Sequence, residues 1–418
     1  MIDDKHFQLI VIGGGPAGLA GAIEAAKLGF NDICLIERDA HLGGILRQCI
    51  HNGFGLHVFK EELTGPEYAY KWIEQLLNYP IKVLLETTVI DITKDKNLTI
   101  VNQDGLSYLS SDNILLAMGC RERTRGAIMT PGFRPAGVFT AGCAQKLVNI
   151  NGYLPGQQVV IVGSGDIGLI MARRMTLEGA KVVLVTEIMP YSSGLARNIA
   201  QCVNDFDIPL RFNTTITKIH GKTRVTGVTI ASVDDNLQPM IDSEIFIPCD
   251  TVLFSVGLIP ENELSKQVDI SIDPITQGPI VNEMMETSVP GFFASGNVVH
   301  VHDLVDNVSF EAKRAAKGIV NQNKRLSTPI KIKHDKNIRY IVPQMIASLD
   351  HEEITLSLRV TTILKNVRLR IKSDNKIIYD QAKRIMAPGE MTTISIKSNV
   401  ISAIKDDLYI EVKSDQNE

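Results

Sequence analysis

Gln8-Leu-Ile-Val-Ile-Gly-Gly-Gly-Pro-Ala-Gly18 is the stretch that decides how this chain of 418 residues folds. An apolar run leads into a glycine-rich turn, and the alanine-rich segment after it predicts a helix from about Ala17 to Leu28. The N-terminus of such a helix offers free N–H groups to a diphosphate. The glycines that fit the dinucleotide-binding fingerprint of turn, close pyrophosphate approach and helix–strand packing are Gly13, Gly15 and Gly18.

A second predicted strand supports this interpretation. Ile33–Ile36 is apolar throughout and is followed at once by Glu37, which stands 19 residues after Gly18. An acidic residue about 20 residues beyond the fingerprint accepts hydrogen bonds from the hydroxyls of an adenosine ribose. Strand, glycine turn, helix, second strand and acid therefore occur in the order that a dinucleotide site requires.

The whole pattern returns about 150 residues later. Gln158-Val-Val-Ile-Val-Gly-Ser-Gly-Asp-Ile-Gly168 has the same strand and glycine turn, and Glu187 again follows its last glycine by 19 residues. An internal repeat of this kind predicts two nucleotide-binding units in one chain. No Arg occurs in the positions just after Glu187, and an acid there repels a 2′-phosphate, so of the two nicotinamide dinucleotides we expect this unit to favour NADH over NADPH.

Composition narrows the class of protein. The hydrophobic content of 44% and charged content of 22% are ordinary for a globular protein of two or three domains. A net charge of −4, without a basic run carrying aromatics, argues against nucleic-acid binding. The sequence shows no transmembrane segment, and its start, Met-Ile-Asp-Asp-Lys, leads into the first strand without a signal peptide. Six scattered cysteines match no metal-binding spacing, so we expect free thiols, no metal site and a cytoplasmic location.

The ordered motifs resemble the pyridine nucleotide-disulfide oxidoreductase superfamily of two-dinucleotide flavoproteins. Beyond the two glycine units and their acids, the resemblance rests on Ala117–Gly119, Ser255–Gly257 and Thr287–Asn297. It implies an α/β, glutathione-reductase-like fold with two Rossmann-like domains, the NAD(P) domain inserted into the FAD domain. The implied ranges are 1–120 and 256–333 for FAD and 121–255 for NAD(P). Alternating strands in 334–418 predict a small C-terminal all-β domain, interpreted as a sandwich.

The resemblance also implies which residues bind the cofactors FAD and NAD. Asn297 stands where most members carry Asp. The amide of Asn297 can still form a hydrogen bond with the ribityl chain of the flavin, but it lacks the negative charge of the carboxylate. The predicted cofactor-binding residues are Gly13, Gly15, Pro16, Ala17, Gly18, Glu37, Arg38, Gly44, Val89, Ala117, Gly119, Gly163, Gly165, Asp166, Ile167, Gly168, Glu187, Gly257, Gly296 and Asn297.

The redox-active cysteine pair of the superfamily is missing. In one branch its positions correspond here to Leu46 and His51, and in the other only Cys143 is present. A dithiol relay needs two thiols within disulfide reach, so the chain is not expected to reduce disulfides. Cys49 and His51 lie in the loop that faces the flavin in the superfamily, and we predict catalytic roles for them there. The alternative is a packed thiol and a hydrogen-bonded imidazole.

Within the superfamily, three stretches look closest to companion flavin subunits of multi-component dehydrogenases: Ile45–Gly55, Gly119–Arg125 and Val138–Gln145. These include partners of anaerobic glycerol-3-phosphate dehydrogenase-like proteins and subunits of opine dehydrogenases, proline dehydrogenases and hydrogen cyanide synthase. The resemblance implies an oligomeric assembly with a partner dehydrogenase subunit and with a small cysteine-rich electron-transfer subunit. The alternatives are a stand-alone NADH oxidase or diaphorase, and an assembly subunit with structural nucleotides.

A polar cluster follows the Gly296-Asn297 turn. His300, His302, Asp303 and Asp306 are dense enough to suggest a metal, but their spacing matches no strong metal-binding template. The preferred interpretation is that they line the flavin edge or cap the following helix, which is predicted over about Ser309 to Asn323.

Overall fold

The computed structural model describes residues 5–321 and 325–414. Contacts divide the chain into two compact units, one made of residues 1–120 and 260–418 and the other of residues 121–259. The predicted domain ranges, which place the second boundary at 255/256, stay predictions. The C-terminal region is grouped with the first unit, so its status as a separate domain remains a prediction. The end of the helix predicted to reach Asn323 lies outside the described residues.

The first part of unit 1 contains two helices among short strands. Helix α2 (Gly65–Leu76) begins with a capping box, in which Thr64 and Glu67 satisfy each other's backbone N–H groups, and Pro66 stands near its start. The strands are β1 (Lys5–Ile12), β2 (Ile33–Ile36), β3 (Asn52–Phe54), β4 (Leu63–Thr64), β5 (Ile81–Leu84), β6 (Thr88–Ile92), β7 (Asn97–Asn102) and β8 (Gly105–Leu116), and the helices are α1 (Pro16–Lys27) and α2 (Gly65–Leu76). Strand β9 (Cys120–Glu122) begins at the last residue of this part and continues into unit 2.

Unit 2 repeats the alternation of strand and helix. Its strands are β10 (Val138–Thr140), β11 (Gln158–Val162), β12 (Lys181–Thr186), β13 (Leu210–Arg211), β14 (Thr214–His220), β15 (Gly227–Ser232), β16 (Ile245–Ile247), β17 (Thr251–Phe254) and β18 (Leu258–Pro260). Its helices are α3 (Ala141–Asn149), α4 (Asp166–Leu177) and α5 (Ala196–Cys202).

The two units contain a similar arrangement of parallel strands, and in unit 1 β7 and β6 extend the sheet beyond β8 as antiparallel strands. In unit 1 the order β5-β2-β1-β8 continues with β19 (Phe292–Ala294), and in unit 2 the order is β13-β12-β11-β17-β10. In both sheets the strand before the glycine turn lies in the middle, buried on both faces, as expected for apolar strands of a doubly wound fold. Both glycine turns therefore lie at the carboxyl end of a central strand, where such folds bind ligands.

The chain returns to unit 1 through two helices. They are α6 (Glu263–Gln267) and α7 (Val305–Val320), and α7 packs against α1. Ala312, Ala315 and Ala316 on α7 are completely buried, which lets the two helices approach closely. Between β19 and α7 lies a short 3₁₀ helix, Gly296–Val298, in the segment whose glycine-asparagine turn was predicted to face a cofactor.

The C-terminal part of unit 1 consists of two sheets and one short helix. Its strands are β20 (Ile330–His334), β21 (Ile338–Val342), β22 (Met345–Ile346), β23 (Glu353–Val360), β24 (Leu364–Ser373), β25 (Lys376–Met386), β26 (Thr392–Lys397) and β27 (Leu408–Ser414), and its helix is α8 (Ser398–Ile401). The sheets β22-β20-β27-β24-β25 and β21-β23-β26 share one apolar core that includes Leu356, Leu369 and Ile410.

Candidate functional site

The first glycine turn contains two kinds of glycine: two that the backbone packing requires, and one that has open space beside it. A Cβ built on Gly13, whose φ is +108°, would lie 2.4 Å from the carbonyl oxygen of Ala117. A Cβ on Gly18 would lie 1.8 Å from the carbonyl oxygen of Gly13. A Cβ on Gly15 would meet nothing within 4 Å. The fold itself therefore requires Gly13 and Gly18, whereas the space beside Gly15 is open to a ligand.

The start of helix α1 is arranged as an anion site. Gly15 is its N-cap, no side chain caps it, and Pro16 occupies the first turn without adding an acid. The first N–H groups of a helix have no partner within the helix and carry its positive dipole end. Ala17 is buried, and its Cβ lies 3.0 Å from where a Cβ on Gly296 would stand. The Gly296 turn therefore closes one side of this helix start.

Glu37 is positioned beside the turn by its own hydrogen bonds. Its Oε2 accepts from the N–H of Gly14 at 2.7 Å, and its Oε1 accepts from the N–H of Asp39 at 2.9 Å. Each carboxylate oxygen has a further lone pair, so both can still accept from a hydroxyl. The backbone of Glu37 also accepts from Thr87, which brings the start of β6 next to the acid.

Three other predicted residues of the first site differ in their surroundings. Gly44 has a φ of +55°, and a Cβ there would lie 3.1 Å from the Cα of Gly15, so the loop that follows Glu37 packs on the glycine turn. Arg38 is exposed, and Val89 is half-buried against the core of the unit. Their roles in binding a cofactor stay predictions.

The second glycine turn has the same construction. A Cβ on Gly163, whose φ is +94°, would lie 2.1 Å from the carbonyl oxygen of Ser255, and one on Gly168 would lie 2.7 Å from the carbonyl oxygen of Gly163. A Cβ on Gly165 would meet nothing nearer than 3.6 Å. Ser255 also accepts the N–H of Gly168 through its hydroxyl at 3.0 Å. Ser255 is thus a structural residue of this turn for which sequence reasoning predicted no role.

The acid of the second unit also holds its turn. Glu187 is buried, and its Oε2 accepts from both the N–H of Ser164 at 2.9 Å and the Ser164 hydroxyl at 2.6 Å. Its Oε1 accepts from the N–H of Met189 at 3.0 Å. The serine that replaces the middle glycine therefore strengthens the contact between turn and acid.

Asp166 lies in the first turn of α4, where a negative charge would compete with a diphosphate. Its Oδ1 accepts from the N–H of Leu195 at 2.8 Å and from the side chain of Asn198 at 2.6 Å. These bonds fix the segment before α5 to the start of α4. Ile167 is half-buried against the core of the unit. A direct contact of either residue with a cofactor stays a prediction.

The strand-end glycines support loop geometry. Gly119 and Gly257 have φ values of +70° and +100°, and their carbonyl groups accept from Glu261 and Arg123 respectively. Asn297 has its side-chain oxygen bonded to the N–H of His302 at 3.0 Å, while its amide nitrogen lies 3.6 Å from the sulfur of Cys120. The amide at position 297 therefore helps to shape its own turn.

Cys49 and His51 lie in the loop after the 3₁₀ helix Gly44–Gln48. The Cys49 thiol donates to the carbonyl of Ile45 at 3.3 Å, and burial raises its pKa to about 12. A thiol with this pKa carries almost no thiolate at neutral pH. The His51 ring packs against Phe54 at 5.0 Å. The geometry favours the packed-thiol alternative for Cys49, and catalytic roles for both residues remain predictions.

The four polar residues after Asn297 that were predicted to form one cluster contact different partners in the structure. Asp303 pairs with Arg359 and accepts from the N–H of Met391, and Asp306 accepts from the N–H of Val58 at 3.0 Å. His300 and His302 instead face Glu311 on α7, which no sequence argument had singled out. The four residues therefore do not form one site.

These observations fit two dinucleotides. Each unit has an open third glycine at a helix N-terminus and a buried acid 23 residues beyond the middle position of the turn. The space beside the open glycine is where a pyrophosphate would fit, the helix start has N–H groups that could donate to it, and the acid has oxygens that could accept from ribose hydroxyls. The fold and the two turns define a protein of the two-dinucleotide Rossmann class.

Comparison with known protein families identifies the family within this class of two-dinucleotide proteins. Residues 7–318 match the pyridine nucleotide-disulphide oxidoreductase family, and the chain belongs to that family. Members are FAD-dependent oxidoreductases that use NAD(P)H. All six cysteines are free thiols, so no disulfide of the chain is formed in this structure. Among the described residues, no helix is both long and apolar enough to span a bilayer.

Several curated relatives share about a quarter of their residues with the chain. Hydrogen cyanide synthase subunit HcnB of Pseudomonas protegens is 24% identical over 69% of this chain and 65% of its own length. An opine oxidase subunit of Agrobacterium tumefaciens is 24% identical over 70% and 61%. Thioredoxin reductase of Listeria monocytogenes is 26% identical over 71% and 87%. The chain therefore spans less than two thirds of the first two relatives.

Solved structures support the fold. Thioredoxin reductase of T. acidophilum superposes with a TM-score of 0.64 at 24% identity, covering 76% of this chain and 99% of that one. An NAD-dependent persulfide reductase of A. fulgidus has a TM-score of 0.60 at 19% identity and covers 93% of this chain and 71% of that one. At these identities the likeness establishes an α/β fold with Rossmann-type sheets.

Proposed function

We propose that the chain binds FAD at the first glycine turn and NADH at the second, and that it passes electrons between them as a subunit of a multi-component dehydrogenase. The observation that carries this proposal is the pair of open glycines, Gly15 and Gly165, each of which is the N-cap of a helix, has no capping side chain of its own and lies beside a buried acid. Bound FAD supplies a hydride acceptor, and the protein binds, orients and shields the two cofactors.

In each unit, different groups would bind the diphosphate and the ribose of the cofactor. The N–H groups at the start of α1 would take the FAD diphosphate, and Glu37 would take its adenosine ribose. The N–H groups at the start of α4 would take the NADH diphosphate, and Glu187 would take its ribose. The carboxylate of Glu187 would disfavour the 2′-phosphate of NADPH, which supports a preference for NADH.

Disulfide reduction is not part of the proposed activity. Cys49 is a half-buried thiol with a raised pKa, and the thiol at Cys143 is exposed and unlinked. A dithiol relay needs a second cysteine close to the first. Electrons are therefore expected to leave for, or arrive from, a partner chain instead of a disulfide substrate.

The partner proposal draws on the relatives. HcnB and the opine oxidase relative are both named as subunits. We infer a partner dehydrogenase acting on glycerol 3-phosphate or on an amino acid or opine, with a small cysteine-rich chain carrying electrons, in an oligomeric complex. The alternative of a stand-alone NADH oxidase draws on a relative of that name from Methanocaldococcus jannaschii, 27% identical over 54% of this chain and 49% of its own length.

A steady-state assay of the FAD-loaded chain tests this proposal. We expect NADH oxidation with an artificial dye as electron acceptor, no reduction of thioredoxin or of small aromatic disulfides, and only slow turnover with oxygen. Rapid turnover with oxygen alone would favour the stand-alone oxidase. Absence of NADH oxidation with every acceptor would favour an assembly subunit with structural nucleotides. Purifying the native complex and identifying its chains by mass spectrometry tests the partner proposal.

A further inference from the structure

Glu311 is a completely buried carboxylate that holds the backbone next to the proposed FAD site. It lies on α7, and its Oε1 accepts from the N–H of Gly296 at 2.7 Å. Its Oε2 is 3.1 Å from Nε2 of His300, and its Oε1 is 3.3 Å from Nε2 of His302. Two imidazoles and one backbone amide thus converge on a single carboxylate.

The groups around Glu311 favour its ionised form. Burial by itself would raise its pKa, but the neighbouring His302 and His300 imidazoles lower the pKa well below its ordinary value. Burial, followed by the nearby His302, lowers the pKa of His300 to about 4, so His300 is neutral at pH 7. Arg314 Nη2 lies 3.7 Å from Glu311 Oε2 and balances the negative charge. A buried ion is tolerated only with such partners.

Two histidines and a glutamate this close together resemble a metal-ligand set. The surrounding charges disfavour a cation there. The Arg314 guanidinium approaches the carboxylate, and Arg359 lies near enough to His300 to lower the pKa of its imidazole. Glu311 Oε1 is also already bonded to the backbone of Gly296. The arrangement therefore favours a hydrogen-bonded clamp.

The clamp acts on both residues of the Gly296-Asn297 turn. Glu311 holds the N–H of Gly296, and the backbone N–H of His302 holds the side chain of Asn297 at 3.0 Å. Gly296 has a φ of +78°, and a Cβ built on it would lie 3.0 Å from side-chain atoms of both Ala17 and Val308. A shift of this turn would therefore move the backbone that closes the start of α1.

We propose that Glu311 is a positioning residue, whose carboxylate fixes the Gly296-Asn297 turn in the conformation that binds FAD. This inference rests on the proposed function, because it assigns a supporting residue to the proposed FAD site. Hydrogen bonds to a charged acceptor contribute more than neutral ones, so the loss of this acceptor is expected to be measurable in cofactor affinity.

Three variants of the full-length chain test the proposal through FAD affinity. Glu311→Met keeps the approximate volume without an acceptor, and we expect FAD to bind about ten- to a hundred-fold more weakly. Glu311→Gln restores an oxygen for the Gly296 N–H, and its amide can donate to the neutral His300, so affinity returns close to that of the wild type. The matched control is Glu283→Met, which removes another buried carboxylate of the same unit that accepts from Ala347, Ser348 and His351.

Hydrogen–deuterium exchange on the FAD-free chain provides a readout that needs no cofactor. The peptide covering 292–302 is expected to exchange faster in Glu311→Met than in the wild type, and at the wild-type rate in Glu311→Gln and Glu283→Met. If Glu311→Met does not fold, His300→Phe removes one donor to the carboxylate, and we expect it to weaken FAD binding about five-fold.

Clear results overturn the proposal. Unchanged FAD affinity in Glu311→Met, or in His300→Phe if Glu311→Met does not fold, would contradict it. A loss of FAD affinity in Glu283→Met as large as that in Glu311→Met would contradict it as well. Stoichiometric zinc or iron that survives dialysis against a chelator would also do so, because Glu311 would then be a ligand. A wild-type chain that binds no FAD defeats the proposed function instead, and the exchange experiment still shows whether Glu311 holds the turn.

Discussion

The carboxylate of Glu37 accepts a hydrogen bond from the backbone N–H of Gly14, with 2.7 Å between oxygen and nitrogen. Glu187 makes the equivalent contact to Ser164 at 2.9 Å, and both pairs are 23 residues apart along the chain. Each acid thus forms a hydrogen bond with the glycine turn of its own unit. From the sequence, the only contact predicted for it was with the ribose of a cofactor. Substituting either acid is therefore expected to affect both the turn and the cofactor.

The two kinds of glycine in the first turn should respond differently to alanine. Gly15→Ala meets no atom and keeps an ordinary φ of −77°, so the thermal midpoint of the chain should be unchanged or slightly higher, while FAD affinity falls at least about ten-fold. Gly18→Ala places a Cβ against the carbonyl of Gly13 and should destabilise the chain by several kcal/mol, on the order of 3. Thermal denaturation and FAD titration measure both effects.

Gly126 supplies the control for that comparison. A Cβ on this glycine would meet nothing nearer than 3.6 Å, and it lies outside both turns, so Gly126→Ala should change neither stability nor FAD binding. Normal FAD affinity in Gly15→Ala would mean that the open space is not where the diphosphate binds.

The charge of Glu187 should set the preference between the two nicotinamide nucleotides. Glu187→Gln keeps an acceptor for Ser164 but removes the charge that repels a 2′-phosphate. The ratio of kcat/KM for NADH to that for NADPH should fall about ten-fold, which corresponds to roughly 1.4 kcal/mol. The same ratio measured in Glu37→Gln should stay at the wild-type value. An unchanged ratio in Glu187→Gln would place the origin of the preference elsewhere.

Cys49 should react slowly with alkylating agents. Burial raises the pKa of its thiol to about 12, and only the thiolate attacks. Between pH 7 and 9 its labelling by iodoacetamide should be at least about ten-fold slower than that of the exposed Cys143, as measured by peptide mass spectrometry. Labelling of the Cys143→Ser variant checks the assignment. Equal rates for the two cysteines would show that Cys49 is activated, as the catalytic prediction requires.

His300 should make the chain less stable in mild acid. Its folded pKa is lowered to about 4 by burial and then by His302, whereas the unfolded imidazole titrates near 6.5. Between pH 6.5 and 4 the unfolded chain therefore binds a proton that the folded chain does not, so stability falls as the pH falls. The loss is on the order of 3 kcal/mol.

The variant His300→Gln isolates this effect. It keeps a donor toward Glu311 without a titrating ring, so the slope of thermal midpoint against pH should flatten in that window. His6→Gln, at an exposed position, serves as the control and should keep the wild-type slope. A wild-type slope in His300→Gln would show that other groups dominate acid sensitivity.

The parts of the site that are local in sequence could be predicted. Strand, glycine turn, helix and acid follow one another within about 30 residues, and steric limits on the backbone at Gly13 and Gly163 leave little choice of residue type. Family membership was predicted from these repeats together with Ala117–Gly119, Ser255–Gly257 and Thr287–Asn297, and it is confirmed by the match over residues 7–318.

The parts that depend on tertiary packing could not be predicted. Glu311 is 15 residues from Gly296 and lies on a helix whose pattern indicates only an amphipathic surface. Asp303, in the loop before α7, pairs with Arg359, which lies 56 positions further along the chain in β23. Nothing local in the sequence links these pairs, so the polar residues after Asn297 were interpreted as one cluster.

The central claim is that FAD bound by this chain accepts electrons from NADH. Its most direct test is anaerobic stopped-flow mixing of the FAD-loaded wild-type chain with NADH, following the flavin absorbance. We expect the oxidised-flavin band to bleach rapidly in the wild type and much more slowly in Gly165→Ala, whose diphosphate site for NADH is filled. A flavin that stays oxidised after mixing with excess NADH would contradict the claim.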